Sequence, residues 1–346
     1  MTSPALRWAV PAVAAGLVAC AAVLPSAVSA AGRAPDLAPR SAAQLLVDLS
    51  THRTTALSGT VVQTSRLGLP KLPGAGDTTG PMSLTSGSST LRVWSDGPDR
   101  QRVALLGSLA EYDVVHSGRD LWTYSSGKDE AVHRVLPAPD ATEEAPVASA
   151  APTSPADAAA AALKAVDPTT AVTVEEAVTV AGRDARQLVL TPKDTTTLVG
   201  SVRLAVDAVT SAPLRVQVFS TSDAVQPAFE VGFTDVTFAT PDRSVFAFTA
   251  PPGAKVVEKA VPTSEGEHAT APSTEKAPTV LGKGWSRIVV ASGVEVPAAQ
   301  AGMLDKVVTR VPEGRLLKTA LVSALLTDDG RLLVGAVTPA ALRAAA

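Results

Sequence analysis

Apolar residues along the chain recur at two spacings, and the switches between them mark out helices and strands. Residues 41–49 carry Leu45, Leu46 and Leu49 at helical spacing, with Ser41 placed as an N-cap. From Leu57 the period becomes two. Residues 59–66 read as a strand, and the Gly- and Pro-rich stretch 68–80 as a long connection. Residues 90–95 and 100–106 flank the turn Asp96-Gly97-Pro98 as a hairpin, and residues 111–116 and 120–125 flank Ser117-Gly118 as another. Residues 137–155, rich in Pro, Ala and Glu, read as a mobile loop, and residues 157–166 as a short alanine-rich helix ended by Asp167-Pro168.

Strands are then expected at 172–180, 185–190, 201–206, 214–220, 229–238 and 245–249. Val202, Leu204 and Val206 share one face of their strand, as do Leu214, Val216 and Val218 of the next, with 207–213 as the turn between them. That alternation is what an antiparallel sheet with one buried face requires. Residues 258–278 have the composition of a linker. Beyond it, a strand at 284–290, a helix at 298–308, a hairpin about Thr327-Asp-Asp-Gly330 and a terminal helix from Pro339 make a small module. The pattern therefore predicts a mainly β, α+β chain in four parts: a leading segment 1–30, a large domain 35–258, a linker 259–280 and a small α+β module 281–346.

The leading segment changes the picture of where the protein works. Arg7 precedes the apolar run 8–24, Pro25 breaks it, and Ser26-Ala-Val-Ser-Ala30 supplies the small residues of a cleavage site. This is the pattern of a secretory signal peptide, so export to the cell envelope or the medium is expected. Leu17-Val-Ala-Cys20 also resembles a lipobox, which would make Cys20 a lipidation site. Cleavage near Ala30, lipidation at Cys20 and a retained membrane segment stay open as alternatives.

Composition mostly excludes. The chain of 346 residues has 30 Lys and Arg against 33 Asp and Glu, a net charge of −3, with no basic cluster to bind nucleic acid. One cysteine excludes an internal disulfide and any multi-cysteine metal site. No G-x-S-x-G elbow, H-E-x-x-H pair or glycine-rich phosphate loop is present. The pairs Glu143-Glu144 and Glu175-Glu176 point opposite ways in extended chain and make poor acid–base dyads. His116 and His133 with Asp113 could meet as metal ligands, but solvated or strand-end histidines fit them better. No enzyme, cofactor or metal site is expected.

The scarce aromatics are the positive signal. Apart from Trp8 and Trp285, all of them fall between Trp94 and Phe248, on expected strands. A curved sheet with few helices leaves a concave side that Ala and Val do not easily fill. Trp94, Trp122, Tyr124, Leu204, Val216, Phe229, Phe233 and Phe246 are accordingly the candidates for lining an apolar ligand cavity, chosen by alternation.

Five stretches in order add a family resemblance over residues 40–257. Leu57-Ser-Gly-Thr-Val-Val-Gln63, Ser117-Gly-Arg-Asp-Leu-Trp-Thr-Tyr124, Leu188-Val-Leu-Thr-Pro-Lys193, Val206-Asp-Ala-Val-Thr-Ser-Ala-Pro-Leu214 and Phe246-Ala-Phe-Thr-Ala-Pro-Pro-Gly253 resemble successive motifs of the LolA-type lipoprotein carriers. The resemblance implies a half-open antiparallel β-barrel wrapped around a helix. Its apolar cavity would hold a lipid or lipoprotein acyl chain, and its lid would fall near 158–166. It also implies an arginine that holds the lid, for which Arg100 and Arg102 are the candidates. Asp96-Gly-Pro-Asp-Arg100 is equally similar to the RseB/MucB proteins, which share this fold, carry a second domain and regulate an anti-sigma factor. That alternative implies a membrane-bound partner protein. Mycobacterial-type lipid-carrying lipoproteins are a third relative, which a lipobox would suit.

Overall fold

The computed structural model describes residues 35–51, 56–69, 80–107, 109–137, 153–259, 278–294 and 307–346. The leading segment with Cys20, most of the loop expected at 137–155, nearly all of the linker, and most of the helix expected at 298–308 lie outside the described residues. Residues 34–346 form one compact unit.

Helix α1 (Ala42–Thr51) starts where its sequence says it should. Ser41 Oγ accepts from the Gln44 amide at 3.2 Å, and Gln44 Oε1 accepts from the Ser41 amide at 2.9 Å, a reciprocal capping box. Strand β1 (Leu57–Ser65) follows, then the meander β2 (Gly87–Ser95), β3 (Arg100–Leu106), β4 (Glu111–Ser117), β5 (Asp120–Ser125) and β6 (Glu130–Val135). Helix α2 (Pro155–Ala165) has Ser154 as N-cap, its Oγ accepting from the Asp157 amide, and Pro155 in the first turn, where no N–H is needed. A second meander runs through β7 (Thr170–Val180), β8 (Arg183–Pro192), β9 (Val199–Asp207), β10 (Pro213–Ser220) and β11 (Phe229–Thr237), and β12 (Lys255–Glu258) ends it. The β7–β8 hairpin turns on Ala181-Gly182, both at positive φ, the geometry that two-residue turns between twisted strands prefer.

These twelve strands form one sheet in the order β12-β6-β5-β4-β3-β2-β1-β11-β10-β9-β8-β7, antiparallel except that β12 pairs parallel with β6. The pairing of β1 with β11 joins the two meanders, while β12 and β7 are free edges, so the sheet curls without closing. A bulge in β11 at Thr234, opposite Thr60 and Val61 of β1, and one in β7 between Glu175 and Val178 help it bend. At Gly59 the strands come so close that a Cβ would overlap the Asp235 carbonyl oxygen, which only glycine tolerates. The architecture is mainly β, a half-open antiparallel barrel.

The concave side holds the core. Register places Leu188, Leu204, Val216 and Val231 in one row across β8–β11, and Val61, Leu91 and Leu105 in another across β1–β3. Leu45 and Leu49 of α1 pack into the same cluster.

A six-stranded sheet follows, built of β13 (Thr279–Leu281), β14 (Ile288–Ala291), β15 (Thr309–Val311), β16 (Gly314–Lys318), β17 (Ser323–Thr327) and β18 (Leu332–Gly335), in the order β13-β14-β18-β17-β16-β15. Helix α3 (Pro339–Ala344), capped by Thr338 Oγ1, packs Leu342 against Leu325 and Leu333 in a core of its own. The second sheet also joins the first core. Trp285, Leu321 and Ala336 lie in the large cluster, and Leu198 and Thr338 donate backbone hydrogen bonds to Ala336 and Thr196.

Three local expectations shift. Residues 245–249 are not a strand: Arg243–Phe246 is a 3-10 turn capped by Asp242. The expected strand 284–290 begins as a 3-10 turn at Gly284–Ser286 and pairs only from Ile288. The first arm of the hairpin expected about Thr327–Gly330, residues 316–326, is two strands, because Thr319 Oγ1 accepts from the Leu321 and Val322 amides and turns the chain.

Candidate functional site

An apolar trough of about 240 Å³ lies on the concave face beneath α2. Its floor is Val202 from β9, Val216 and Val218 from β10 and Phe229 from β11. Its cover is the alanine face of α2, with Ala158, Ala161 and Ala162, and Trp285 and Leu321 from turns of the second module complete the lining. The alternation that buries one face of β9 and β10 therefore also supplies the floor. Alanines keep α2 close above it without filling it.

None of the lining side chains is charged, and only the Trp285 indole carries a polar group. Its Nε1–H is committed to Thr170 Oγ1 at 2.9 Å. Such a cavity is poorly hydrated and offers burial without a specific polar contact. A wider recess of about 570 Å³ sits at the β7 bulge, but it is open at a sheet edge and lined by Glu175, Glu176 and Gln187. The smaller trough is the stronger candidate, since an apolar lining without carboxylates takes more apolar ligand surface out of water.

The eight cavity candidates divide by strand parity. Val216 and Phe229 line the trough, while Leu204 and Phe233 lie on the same concave face within its buried core. Trp94, Trp122, Tyr124 and Phe246 are not in the trough. Trp94 pairs with Arg102 and Trp122 with Val115, one residue out of step with Val93, Val103 and Val114, so these rings project from the convex face. There Trp122 stacks on His133 at 4.2 Å between centroids, Phe248 leans on Trp122 and Tyr124, and Arg92 and Arg102 flank the Trp94 ring. The chain after β11 covers this face, which is why Ala104, Val115 and Ala131 are fully buried there.

The lid arginines also fall on the convex side, a correction to both candidates. Arg102 forms a two-pronged ion pair with Asp113 at 3.2 and 3.1 Å and donates to the Val245 carbonyl, and Arg100 pairs with Asp96. Alternation with core-facing Val103 turns both away from α2. Helix α2 is held instead by its alanine face, by its Ser154 cap and by the Gly284–Ser286 turn at its C-terminal end.

His133 sits between Asp120 Oδ1 and Glu258 Oε2, each at 2.8 Å. Burial opposes its protonation, yet the two carboxylates outweigh burial and raise its pKa. No group of three or more His, Cys, Asp or Glu among the described residues is arranged to hold a metal.

Alternation already pointed to Val202 and Val218, which share faces with Leu204 and Val216. Trp285 and Leu321 carried no such signal, because they come from turns of the second module. The alanines of α2 were legible as a helix but not as a cavity cover.

No protein-family model matches the sequence, and no curated protein matches it. Among solved structures, the chain is similar to the Pseudomonas aeruginosa MucA/MucB complex, at 19% identity and a TM-score of 0.45, covering 88% of this chain and 96% of that one. It is also similar to the LolA superfamily protein NE2245 from Nitrosomonas europaea (13% identity, TM-score 0.25, 61% and 99% covered). A third is a putative outer membrane lipoprotein-sorting protein domain from Vibrio parahaemolyticus (10% identity, TM-score 0.23, 59% and 94% covered).

Proposed function

We propose that the chain is an exported, non-enzymatic carrier that holds lipid or lipoprotein acyl chains non-covalently in the trough beneath α2. The observation that carries this reading is a cavity walled entirely by apolar side chains and covered by a short helix. Removing a methylene from water contributes about 0.8 kcal/mol, so some ten methylenes contribute about 8 kcal/mol before the cost of ordering the ligand. Such binding needs no hydrogen bond and does not read a sequence. The lid is built to move. It packs through alanine methyls, which bury little area each, and it is tied at its N-terminus by one side-chain cap. Residues 35–258 supply the floor and lid, and residues 281–346 complete the lining. The segment 1–30 fits export, with Cys20 as an anchor where it is lipidated.

A fluorescent fatty-acid probe tests the reading. Saturable uptake, weakened by Val218→Asp in a chain that still folds, supports it; no uptake removes it. A second reading is capture of a partner protein. MucB, one of the similar structures, was solved with MucA. The specific observation in its favour is the apolar corner at the β13–β14 edge, where Val280, Leu281 and Val289 are 53%, 39% and 40% exposed. Capture of a partner that depends on residues 281–346, with no lipid uptake, would favour it.

A further inference from the structure

We infer that Trp285 sets how long an apolar chain the trough accepts. The inference rests on the acyl-binding reading and adds a length limit to it. Strand register rules the concave face into rows, and the row Val172, Leu190, Val202, Val218 runs across the trough to Phe229. One row further out, β7 begins at Thr170, and there the Trp285 indole stands on the sheet with its Nε1–H donating to Thr170 Oγ1. The trough ends at that ring.

The stop is held from several sides. Thr170 Oγ1 accepts from the Asp167 amide at 3.2 Å, so the residue that pins the indole is itself pinned. Gly284 packs so closely on Asp167 that a Cβ would overlap its Oδ2, which seats the loop against the C-terminal end of α2. The ring is only 8% exposed. Leu321 beside it is anchored by its neighbour Ala320, whose amide donates to the Leu67 carbonyl at 2.9 Å.

A flat, fixed, apolar wall has a simple consequence. Each methylene added to a bound chain gains about fourfold in affinity while it finds room in the trough, and nothing once the terminal methyl meets the indole. The second sheet thereby measures a ligand that the first sheet binds.

The test is competition of saturated fatty acids of graded length against a fluorescent fatty-acid probe, on the full chain and on W285A and W285L. Affinity in the unmutated chain should climb about fourfold per methylene and then stop at a definite length. W285A should move that break to longer acids, and acids two carbons past the original break should bind about sixteenfold more tightly than to the unmutated chain. W285L, which keeps an apolar side chain at the wall, should give a smaller move; thermal unfolding confirms that each variant is folded. An unmutated chain with no break, or folded variants that break at the same length, would overturn the inference while leaving the acyl reading intact. Failure of the probe to bind at all would overturn both.

Discussion

Asp207 is the most buried carboxylate of the large sheet, and replacing it with Asn tests how the β9–β10 turn is held. Its side chain is 1% exposed and accepts from Arg183 Nε at 2.5 Å and Arg183 Nη2 at 3.0 Å. It also accepts from the Val209 amide at 3.1 Å, the Thr210 amide at 2.7 Å and Thr210 Oγ1 at 2.8 Å. Every partner is a donor, so an amide NH₂ in place of either oxygen faces another donor. Breaking a buried ion pair by changing one partner costs about 3–5 kcal/mol; Arg183 is 30% exposed and regains water, so D207N is expected to cost about 2–4 kcal/mol. With a urea slope of about 3 kcal/mol/M, the unfolding midpoint should fall by about 1 M at neutral pH.

The acid limb gives a second readout. Burial works to raise the Asp207 pKa, but the hydrogen bonds from Arg183, Thr210 and Val209 outweigh it, and the carboxyl is held below its ordinary value. A depressed folded pKa means stability that is fully present above the unfolded value of about 3.9 and lost as pH falls through the folded value. D207N should therefore be less stable at neutral pH and flatter in its acid dependence. A midpoint within about 0.2 M of the parent, or an unchanged acid limb, would mean that these contacts do not hold the turn.

Three further outcomes follow from named contacts. Ser154→Ala removes the only side-chain cap of α2 and should cost about 1 kcal/mol locally; faster amide hydrogen exchange over Pro155–Ala165 with unchanged exchange in β9 is the readout, and equal rates would count against a cap-held lid. Gly59→Ala drives a Cβ into the Asp235 carbonyl and should lower the melting temperature by several degrees, an effect absent if β1 and β11 can part there freely. His133, whose folded pKa is raised by Asp120 and Glu258, contributes stability that is full below its unfolded value and lost as pH rises through the folded one. Proteolysis after β12 should thus accelerate with rising pH in the parent and become pH-independent in His133→Gln. A parent rate indifferent to pH would remove the role of His133 in holding that strand.

Period-two alternation made the two meanders legible, because each strand shows the solvent one face and the core the other. It also put Val202, Val216 and Val218, which line the trough, on one face with the core residue Leu204. It misassigned Trp94, Trp122, Tyr124 and Phe246, since aromatic content marks burial but not the side of burial. The convex face here is covered by the chain after β11, and a covered convex face reads like a concave one. Strand β12 was hidden in what reads as the start of a linker: it is short, mostly exposed and tied to β6 by backbone bonds with His133 and Lys255 as side-chain partners. Trp285 was illegible as a site residue for a different reason. A contact between two sheets leaves no periodic trace in either, and only the glycines at 282 and 284 mark the tight loop that delivers it.

Native mass spectrometry of the full chain, purified without detergent from an exporting host, reads out whether the trough carries acyl chains. Mass increments are expected that disappear on organic extraction and match lipids recovered in the extract, with re-uptake of a fatty-acid probe by the stripped protein. A single unliganded mass, together with no probe uptake after extraction, would contradict it.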